Sequence, residues 1–129
     1  MTIVDRETRC FLSIRAVWQR SQWAGQHMVN RAPAQQYYSD RFPLYDSLVY
    51  RKGYHLSLSD KSETYSVEGD NAELRHYLTR LVRRSRCFSR CLHWLNRHLK
   101  AFAHAWNQRQ LHNRAYPFNK KHVIDFVCL

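Results

Sequence analysis

The sequence lacks several features that define common classes of protein. It has no run of about 18 apolar residues, so no membrane-spanning helix is expected. With only three glycines, it contains neither of the glycine-rich motifs that cradle phosphates, which disfavours a nucleotide-cofactor enzyme. The N-terminal stretch includes acids and has no long apolar core, so it does not resemble a secretory signal peptide.

Cysteine is also scarce, and its spacing does not indicate a disulfide framework. The four cysteines are Cys10, Cys87, Cys91 and Cys128. Their scattered positions are typical of a protein in a reducing compartment. Cys87 and Cys91 lie one helical turn apart, close to His93 and His98, which leaves a zinc site open as an alternative. Structural zinc sites use tighter Cys-x-x-Cys turns, so ordinary helix positions are the favoured interpretation.

Length and composition predict one folded domain over residues 1–129. A chain of this length is long enough to bury a core. The apolar fraction of 44% and the aromatic fraction of 14% argue against disorder.

Negative charge is missing from a large part of the chain. Residues 74–124 contain no Asp or Glu but twelve Lys and Arg, and the whole chain carries a net charge of +11. A one-sided basic field attracts polyanions, DNA above all. Charge alone leaves open ribosomal RNA, an anionic membrane surface or a basic face that only confers solubility.

Hydrophobic periodicity predicts a mixed α/β domain with the order β-β-α-β-α-β-α-α. In residues 10–18, Leu12, Ile14, Ala16 and Trp18 alternate with polar residues, which predicts a strand with one buried side. The other predicted elements are a strand at 3–4, helices at 21–31 and 43–48, strands at 36–39 and 54–58, and a helix after residue 90 with a core stripe of Leu92, Leu95, Leu99, Phe102 and Trp106.

The segment 67–90 has the pattern of a single amphipathic helix. Acids open it and arginines follow, an order that suits the helix dipole. Leu74, Leu78, Leu81 and Val82 form its apolar face. An ordinary surface helix would show the same pattern.

A second face of that helix carries residues capable of chemistry. Glu68, Asn71 and Arg75 are spaced at i, i+3 and i+7, so they line one side together. In the bland alternative, Glu68 is a first-turn acid, or Asp70 and Glu73 form a capping box that leaves Glu68 just outside the helix.

The segment VEGDNAELRHYLTRLVRRSRCFSR at 67–90 resembles the third-carboxylate region of the DDE transposases of the insertion-sequence-one (InsB-like) family. YYSD at 37–40 is similar to the segment that carries the second catalytic Asp, at the end of a strand. VDRETRC at 4–10 resembles the turn after the family's second strand. The resemblance covers nearly the whole chain.

This resemblance implies a ribonuclease H-like α/β domain, a mixed sheet flanked by helices. It implies metal-dependent DNA strand transfer, with Asp40 and Glu68 as catalytic residues that bind Mg²⁺ or Mn²⁺ in a two-metal site. Arg75 is then expected to bind a phosphate near the metals, and Asn71 to orient DNA or a water beside them. From the residues alone, Asp40 is equally a turn residue or a helix cap.

DNA is the expected partner, both transposon ends and target. The residues expected to bind it are the arginines of the basic segment, Arg80, Arg83, Arg84, Arg86 and Arg90. A cytoplasmic, nucleoid-associated protein is expected, with no membrane partner.

The chain departs from the family at its first catalytic Asp, which the family carries in a DExW-type segment on the first strand. That segment does not occur in the sequence, and Asp5 corresponds to a later turn. The expectation is therefore a partial catalytic domain that lacks its first strand and is inactive alone. Its partners would be the missing N-terminal part of the transposase or further copies of itself. The alternative is a non-catalytic, basic DNA-binding or multimerising fragment.

The resemblance also predicts a geometry. Asp40 and Glu68 are expected to approach each other in the folded chain. Asp5 is expected farther away, at the outer end of a hairpin.

Overall fold

A computed structural model describes residues 1–51, 53–59, 64–78 and 90–127. Within these ranges the elements follow the predicted order, β-β-α-β-α-β-α-α, and a short 3₁₀ turn ends the series. They are β1 (Thr2–Val4), β2 (Phe11–Ile14), α1 (Gln22–Arg31), β3 (Gln36–Asp40), α2 (Pro43–Asp46), β4 (Tyr54–Leu58), α3 (Tyr65–Tyr77), α4 (Leu92–Ala115) and the turn Val123–Phe126. None of the described helices is both long and apolar enough to cross a membrane.

Strands β1 and β2 form an antiparallel hairpin whose ladder contains a bulge. Ile3 pairs with Ser13, but Val4 pairs with Phe11, so Leu12 is an extra residue on β2. The extra residue shifts the alternation of side chains, and Phe11 is buried whereas Leu12 is 47% exposed. The predicted buried row is therefore wrong at Leu12, because simple alternation assumes an unbroken ladder. It is also wrong at Trp18, which lies beyond the end of β2 and is 53% exposed.

The second sheet consists of β3 and β4, which run parallel. Gln36 is in register with Tyr54, and Asp40 with Leu58. The chain crosses between these strands through the single-turn helix α2, which has Pro43 at its first position, where the missing amide costs no helical hydrogen bond.

Helix α1 covers the cavity that lies between the two sheets. Ser21 caps it, accepting a hydrogen bond from the amide of Ala24 at 3.2 Å. Its buried side includes Met28 and Val29. The helix ends at Arg31, two residues before Pro33, as predicted from the sequence.

Helix α3 is shorter than the sequence predicts. It begins after Thr64 and ends at Tyr77, and Leu78 is non-helical, with φ −113° and ψ 82°. The single helix expected over 67–90 is therefore wrong at Leu78, and its part from 79 to 89 lies outside the described residues. Leu81 and Val82 of its predicted apolar face lie outside the described residues, whereas Leu74 is buried in the core.

Helix α4 supplies most of the core, and its predicted stripe is confirmed. Leu95, Leu99, Phe102 and Trp106 are buried together with Phe11. Two asparagines of α4 also bind the backbone of β2 and of the segment that follows it. Asn107 accepts from the amide of Phe11 at 2.7 Å and donates to its carbonyl at 2.9 Å. Asn96 makes the same pair of bonds to Ala16, at 2.8 and 3.1 Å.

The α/β class is thus confirmed, but the described strands form two separate two-stranded sheets instead of one mixed sheet. A cavity lined by both β1 and β3 separates them. The ribonuclease H-like fold expected from the resemblance stays a prediction.

Candidate functional site

Asp40 is the last residue of β3 and is exposed. Its carbonyl oxygen accepts hydrogen bonds from the hydroxyls of Ser39, at 2.9 Å, and Ser57, at 3.2 Å, which fix the end of the strand. Its carboxylate accepts from the amide of Phe42 at 3.3 Å, the local turn that Asp favours. Phe42, and not Asp40, is the cap of α2, so the helix-cap alternative is wrong while the turn geometry is present.

Glu68 lies in the first turn of α3, and Asn71 and Arg75 follow on the same side. Glu68 and Arg75 are exposed, and Asn71 is half-buried. The Asn71 side-chain oxygen accepts a hydrogen bond from the hydroxyl of Thr2 at 2.9 Å, which ties this face of the helix to β1.

All four predicted metal, phosphate and water-orienting residues border one cavity of about 850 Å³. Asp40 lines the cavity from β3. Three residues line it from α3: Glu68, Asn71 and Arg75. Residues that are 28 to 35 positions apart in the sequence are therefore neighbours of the same space. The role of these residues as a metal site stays a prediction.

Asp5 is a third carboxylate on the cavity wall. As expected, it lies in the hairpin turn between β1 and β2. Its Oδ2 atom accepts hydrogen bonds from the amide of Thr8, at 2.9 Å, and from the Thr8 hydroxyl. The hydroxyl bond lowers the pKa of Asp5 below its usual value, with the backbone bonds and Arg114 acting in the same direction.

The N-terminal amine of Met1 belongs to a residue that also lines the cavity, which sequence reasoning did not anticipate. The amine of Met1 donates to the carbonyl of Arg15 at 2.8 Å, which extends the β1–β2 ladder. Burial lowers the pKa of this amine to about 6, and the nearby charges of Arg20 and Arg75 add to the effect. Arg75 therefore lies close enough to the start of β1 to act on this amine.

Asp70 has a structural role that the sequence did not reveal. It is 4% exposed, and both its oxygens accept hydrogen bonds from Arg9, with Nε–Oδ2 at 2.9 Å and Nη2–Oδ1 at 2.7 Å. Arg9 lies in the hairpin turn with φ 61°, and its carbonyl accepts from the indole of Trp106 at 3.0 Å. The capping-box alternative for Asp70 and Glu73 is therefore wrong, because the helix begins five residues before Asp70.

This ion pair holds α3 to the hairpin and to α4 at one point. Since Glu68 and Asn71 are on the same two turns of α3 as Asp70, the pair also fixes where they face. The signal in the sequence was weak: a carboxylate between Gly69 and Asn71, without a charge partner nearby in the chain.

The predicted DNA-binding arginines can be placed only in part. Arg90 is exposed and immediately precedes the N-terminal end of α4. Arg80, Arg83, Arg84 and Arg86 lie outside the described residues, as does Cys87 of the zinc alternative. In the part of the chain that the structure describes, no group of three or more His, Cys, Asp or Glu side chains is placed to hold a metal ion.

Comparison with known proteins supplies the family. Searches of curated proteins and of solved structures gave no significant match. A protein-family model described as IS1 transposase matches residues 25–112, about two thirds of the chain. The match runs from α1 to near the end of α4 and includes Asp40, Glu68, Asn71 and Arg75. The chain belongs to the IS1 transposase family.

Proposed function

We propose that this chain carries part of the catalytic site of an IS1-type DDE transposase, which cuts and joins DNA strands with divalent metal ions. In this proposal Asp40 and Glu68 are metal ligands, and the chain alone is catalytically incomplete. The observation that carries the proposal is the cavity shared by Asp40, Glu68, Asn71 and Arg75, all within the segment that the family matches.

The residues around the cavity fit a hard divalent cation. Asp40 and Glu68 offer carboxylate oxygens, the ligands that Mg²⁺ and Mn²⁺ prefer. Mg²⁺ commonly binds through one or two carboxylates and completes its shell with water and substrate phosphate, so two carboxylates suit one loosely held ion. When bound, such ions activate the attacking oxygen and stabilise the leaving oxygen of a phosphodiester.

The neighbouring side chains suit the handling of DNA. Arg75 is an exposed cation on the cavity wall, and a guanidinium binds phosphate oxygens through paired hydrogen bonds. Asn71 is held in place by Thr2, which orients its amide one turn from Glu68. In the proposal Arg75 binds the phosphate and Asn71 orients DNA or a water.

The proposed fold is a ribonuclease H-like domain without its first strand. Three observations support it: an antiparallel hairpin, a parallel pair of strands, and a cavity between them where a central strand would lie. Incompleteness is supported by the state of Asp5. Its Oδ2 atom is already engaged by Thr8 in the hairpin turn, so it is poorly disposed to replace a first-strand Asp.

DNA binding in the proposal depends on the basic segment before α4, of which Arg90 is the described member. Phosphate contacts release counterions, so affinity for unrelated DNA sequences is expected to fall steeply as salt increases. Replacing the arginines at positions 83, 84 and 86 with alanine should flatten that dependence.

The test is a strand-cleavage assay on terminal-repeat DNA with Mg²⁺ or Mn²⁺. We expect no useful cleavage by the 129-residue chain, because about 1 Å of misplacement at a reacting centre costs roughly a hundredfold in rate. A version extended by an upstream strand that carries an Asp should cleave. In that version Asp40→Asn and Glu68→Gln should each abolish cleavage.

Two results would overturn parts of the proposal. Cleavage by the 129-residue chain that both substitutions abolish would show that the chain is complete. If the extended version still cleaves DNA with Asp40→Asn or Glu68→Gln, the substituted residue is not a metal ligand of the site.

A further inference from the structure

A second cluster of polar side chains lies on the β3–β4 sheet and is not used in the proposed function. The Oγ atom of Ser39 and the Nε2 atom of His55 are 2.7 Å apart. Asp46, the last residue of α2, lies beside the other ring nitrogen, with its Oδ1 atom 3.8 Å from Nδ1. A hydroxyl, an imidazole and a carboxylate in this order form the arrangement that activates a serine nucleophile.

Strand geometry separates this cluster from the carboxylate of Asp40. Successive side chains of a strand point to opposite faces of the sheet, so Ser39 and Asp40 point in opposite directions. In the parallel register Ser39 is paired with Ser57, two residues after His55 on the same face of β4. The cluster therefore does not depend on the metal chemistry proposed above, and either can fail alone.

The charge of Asp46 favours one tautomer of His55. Their contact is longer than a hydrogen bond, but a negative charge beside Nδ1 favours the form with the hydrogen on Nδ1. Nε2 is then an acceptor, and it faces the hydroxyl of Ser39. Burial lowers the pKa of His55 below its usual value, against the opposite effect of Asp46, so the ring is neutral at pH 7. A neutral ring with an unprotonated Nε2 is the form that accepts a proton from serine.

The hydroxyl of Ser39 has two acceptors within reach. It lies 2.9 Å from the carbonyl oxygen of Asp40 and 2.7 Å from Nε2 of His55, and a hydroxyl hydrogen rotates to suit either. Ser57 also donates to the carbonyl of Asp40, at 3.2 Å. The hydrogen of Ser39 can therefore point to His55 while that carbonyl keeps a donor.

The imidazole of His55 is held in place by aromatic packing. The ring of Tyr50 stacks on it, with centroids 4.5 Å apart and planes inclined by 16°, and the His55 side chain is only 12% exposed. Tyr50 is fixed in turn, because its hydroxyl donates to the carbonyl of Tyr45 at 2.9 Å and its ring packs against Tyr37 at 4.8 Å. A base that is held in this way does not have to be oriented during the reaction.

Both members of the pair are accessible from the cavity. Ser39 and His55 line it, as do the rings of Tyr37 and Tyr50 beside them. The volume of about 850 Å³ lies within the range of small-molecule pockets, about 300–1,000 Å³. Aromatic walls next to the hydroxyl suit an apolar acyl group.

We propose that Ser39 and His55 form a nucleophile and general-base pair that hydrolyses small carboxylic esters with apolar acyl groups, and that Asp46 is a positioning residue for His55. The Oγ atom of Ser39 attacks the ester carbonyl carbon while its proton passes to Nε2 of His55. The bond to the leaving alcohol breaks, and His55 returns the proton to that alcohol. Water then attacks the acyl-serine with His55 as base, which releases the carboxylic acid and restores Ser39.

The first test is covalent labelling of the 129-residue chain with a fluorophosphonate in EDTA, with the labelled residue identified by mass spectrometry. The Oγ atom of an activated serine bonds to phosphorus and fluoride leaves. We expect the label on Ser39. EDTA removes divalent ions, so the result does not depend on whether Asp40 and Glu68 bind metal. Absence of label on Ser39 would overturn the proposal.

Two variants separate an activated serine from a serine that only supports the sheet. His55→Gln keeps a side-chain amide that can bond to Ser39 but cannot take its proton, so labelling should slow about a hundredfold. Ser57→Ala is the matched control, because Ser57 bonds to the same carbonyl of Asp40 but is not the serine that contacts Nε2. It should label like the unchanged chain. Equal rates in His55→Gln and the unchanged chain, both folded by circular dichroism, would show that the Ser39–His55 contact is structural.

The second test is hydrolysis of p-nitrophenyl butyrate in EDTA. Because nucleophile and base act as a unit, Ser39→Ala, His55→Gln and the double variant should all fall to the same low rate. Hydrolysis that survives Ser39→Ala would come from other side chains and would overturn the esterase activity.

The role of Asp46 is tested by its charge. Asp46→Asn should slow the labelling of Ser39 about fivefold, since an exposed charge has a modest effect. Asp46→Glu keeps the charge on a longer side chain that can close the 3.8 Å gap, so it should label at least as fast as the unchanged chain. Equal rates in the Asn and Glu forms would contradict the positioning role.

Discussion

The two sides of this molecule differ in what their side chains contact. On the α4 side, Leu99 and Trp106 are each 2% exposed, and they pack with Phe11 of the hairpin. On the β3 side, Asp40 is the exposed last residue of β3. It lines the cavity together with Glu68. The first side carries the stability of the domain, and the second carries the groups with potential chemistry.

This division explains why the predicted site residues contribute little packing. A charged group that must bind metal or phosphate has to remain accessible, so it cannot be satisfied by a buried partner. Asp70, two positions after Glu68, is instead buried, and both its carboxylate oxygens accept hydrogen bonds from Arg9. Of these two acids on α3, Asp70 thus stabilises the packed side, and Glu68 lines the cavity.

The largest expected effect is on the packed side. Trp106→Ala removes a buried ring that contacts Phe11 and Phe102, with centroids 5.8 and 5.9 Å away. We expect the free energy of unfolding to fall by about 3–5 kcal/mol, measured by urea denaturation. Trp94→Ala, on the exposed face of the same helix with 55% of its surface accessible, is the control and should cost much less. Equal losses would contradict the assignment of the stability to the buried core beside α4.

Breaking the pair between Arg9 and Asp70 should have the next largest effect. Asp70→Ala leaves the guanidinium without its main partner, and losing one member of a buried pair costs about 3–5 kcal/mol. Because the Arg9 side chain is 37% exposed, we expect about 2 kcal/mol. Glu73→Ala, an exposed acid on the same helix, should be nearly neutral. If Glu73→Ala lowers the free energy of unfolding as much as Asp70→Ala does, the negative charge on the helix is responsible and the ion pair with Arg9 is not.

Stability should also depend on pH between 6 and 8. The pKa of the Met1 amine is lowered to about 6 by burial and by Arg20 and Arg75, and burial also lowers the pKa of His55. In this range the unfolded chain binds more protons than the folded chain, so the free energy of unfolding rises with pH. We expect a gain of about 1–2 kcal/mol from pH 6 to 8, measured by urea denaturation.

N-terminal acetylation gives the control for the pH effect, because it removes the charge of the amine. The acetylated chain should show a weaker rise, due to His55. An unchanged slope would mean that the amine is not buried beside Arg75 and that the cavity differs from the one described.

The smallest expected effects on stability are at the site itself. Asp40→Asn and Glu68→Gln change exposed side chains, so each should alter the free energy of unfolding by less than about 0.5 kcal/mol. A loss as large as that of Asp70→Ala would show that these acids are structural and would weaken their assignment to metal.

Much of the fold was readable from the sequence because its signals are local. The order of the described elements followed from periodicity, and the stripe of α4 from Leu95 to Trp106 followed from three- and four-residue steps. The bulge at Leu12 was not readable, since it depends on how β1 pairs with β2. The end of α3 at Tyr77 was missed because leucines continue beyond it at helical spacing.

The residue types of the proposed site came from the sequence, but its surroundings did not. The resemblance predicted Asp40 and Glu68, and the i, i+3 and i+7 spacing predicted the shared face of α3. Contacts between distant segments left no such pattern. Arg9 with Asp70, and Asn107 with Phe11, are separated by 61 and 96 positions, and only the tertiary structure joins them.

The most direct test of the proposed site is Mn²⁺ binding by electron paramagnetic resonance on the 129-residue chain. If Asp40 and Glu68 share one ion, Asp40→Asn, Glu68→Gln and the double variant should all lose affinity to about the same extent. The matched controls are Asp46→Asn and Glu73→Gln, exposed acids that are not on the cavity wall, and they should bind Mn²⁺ like the unchanged chain. Losses that add up in the double variant would indicate two separate sites, and unchanged binding in all three would contradict the metal assignment.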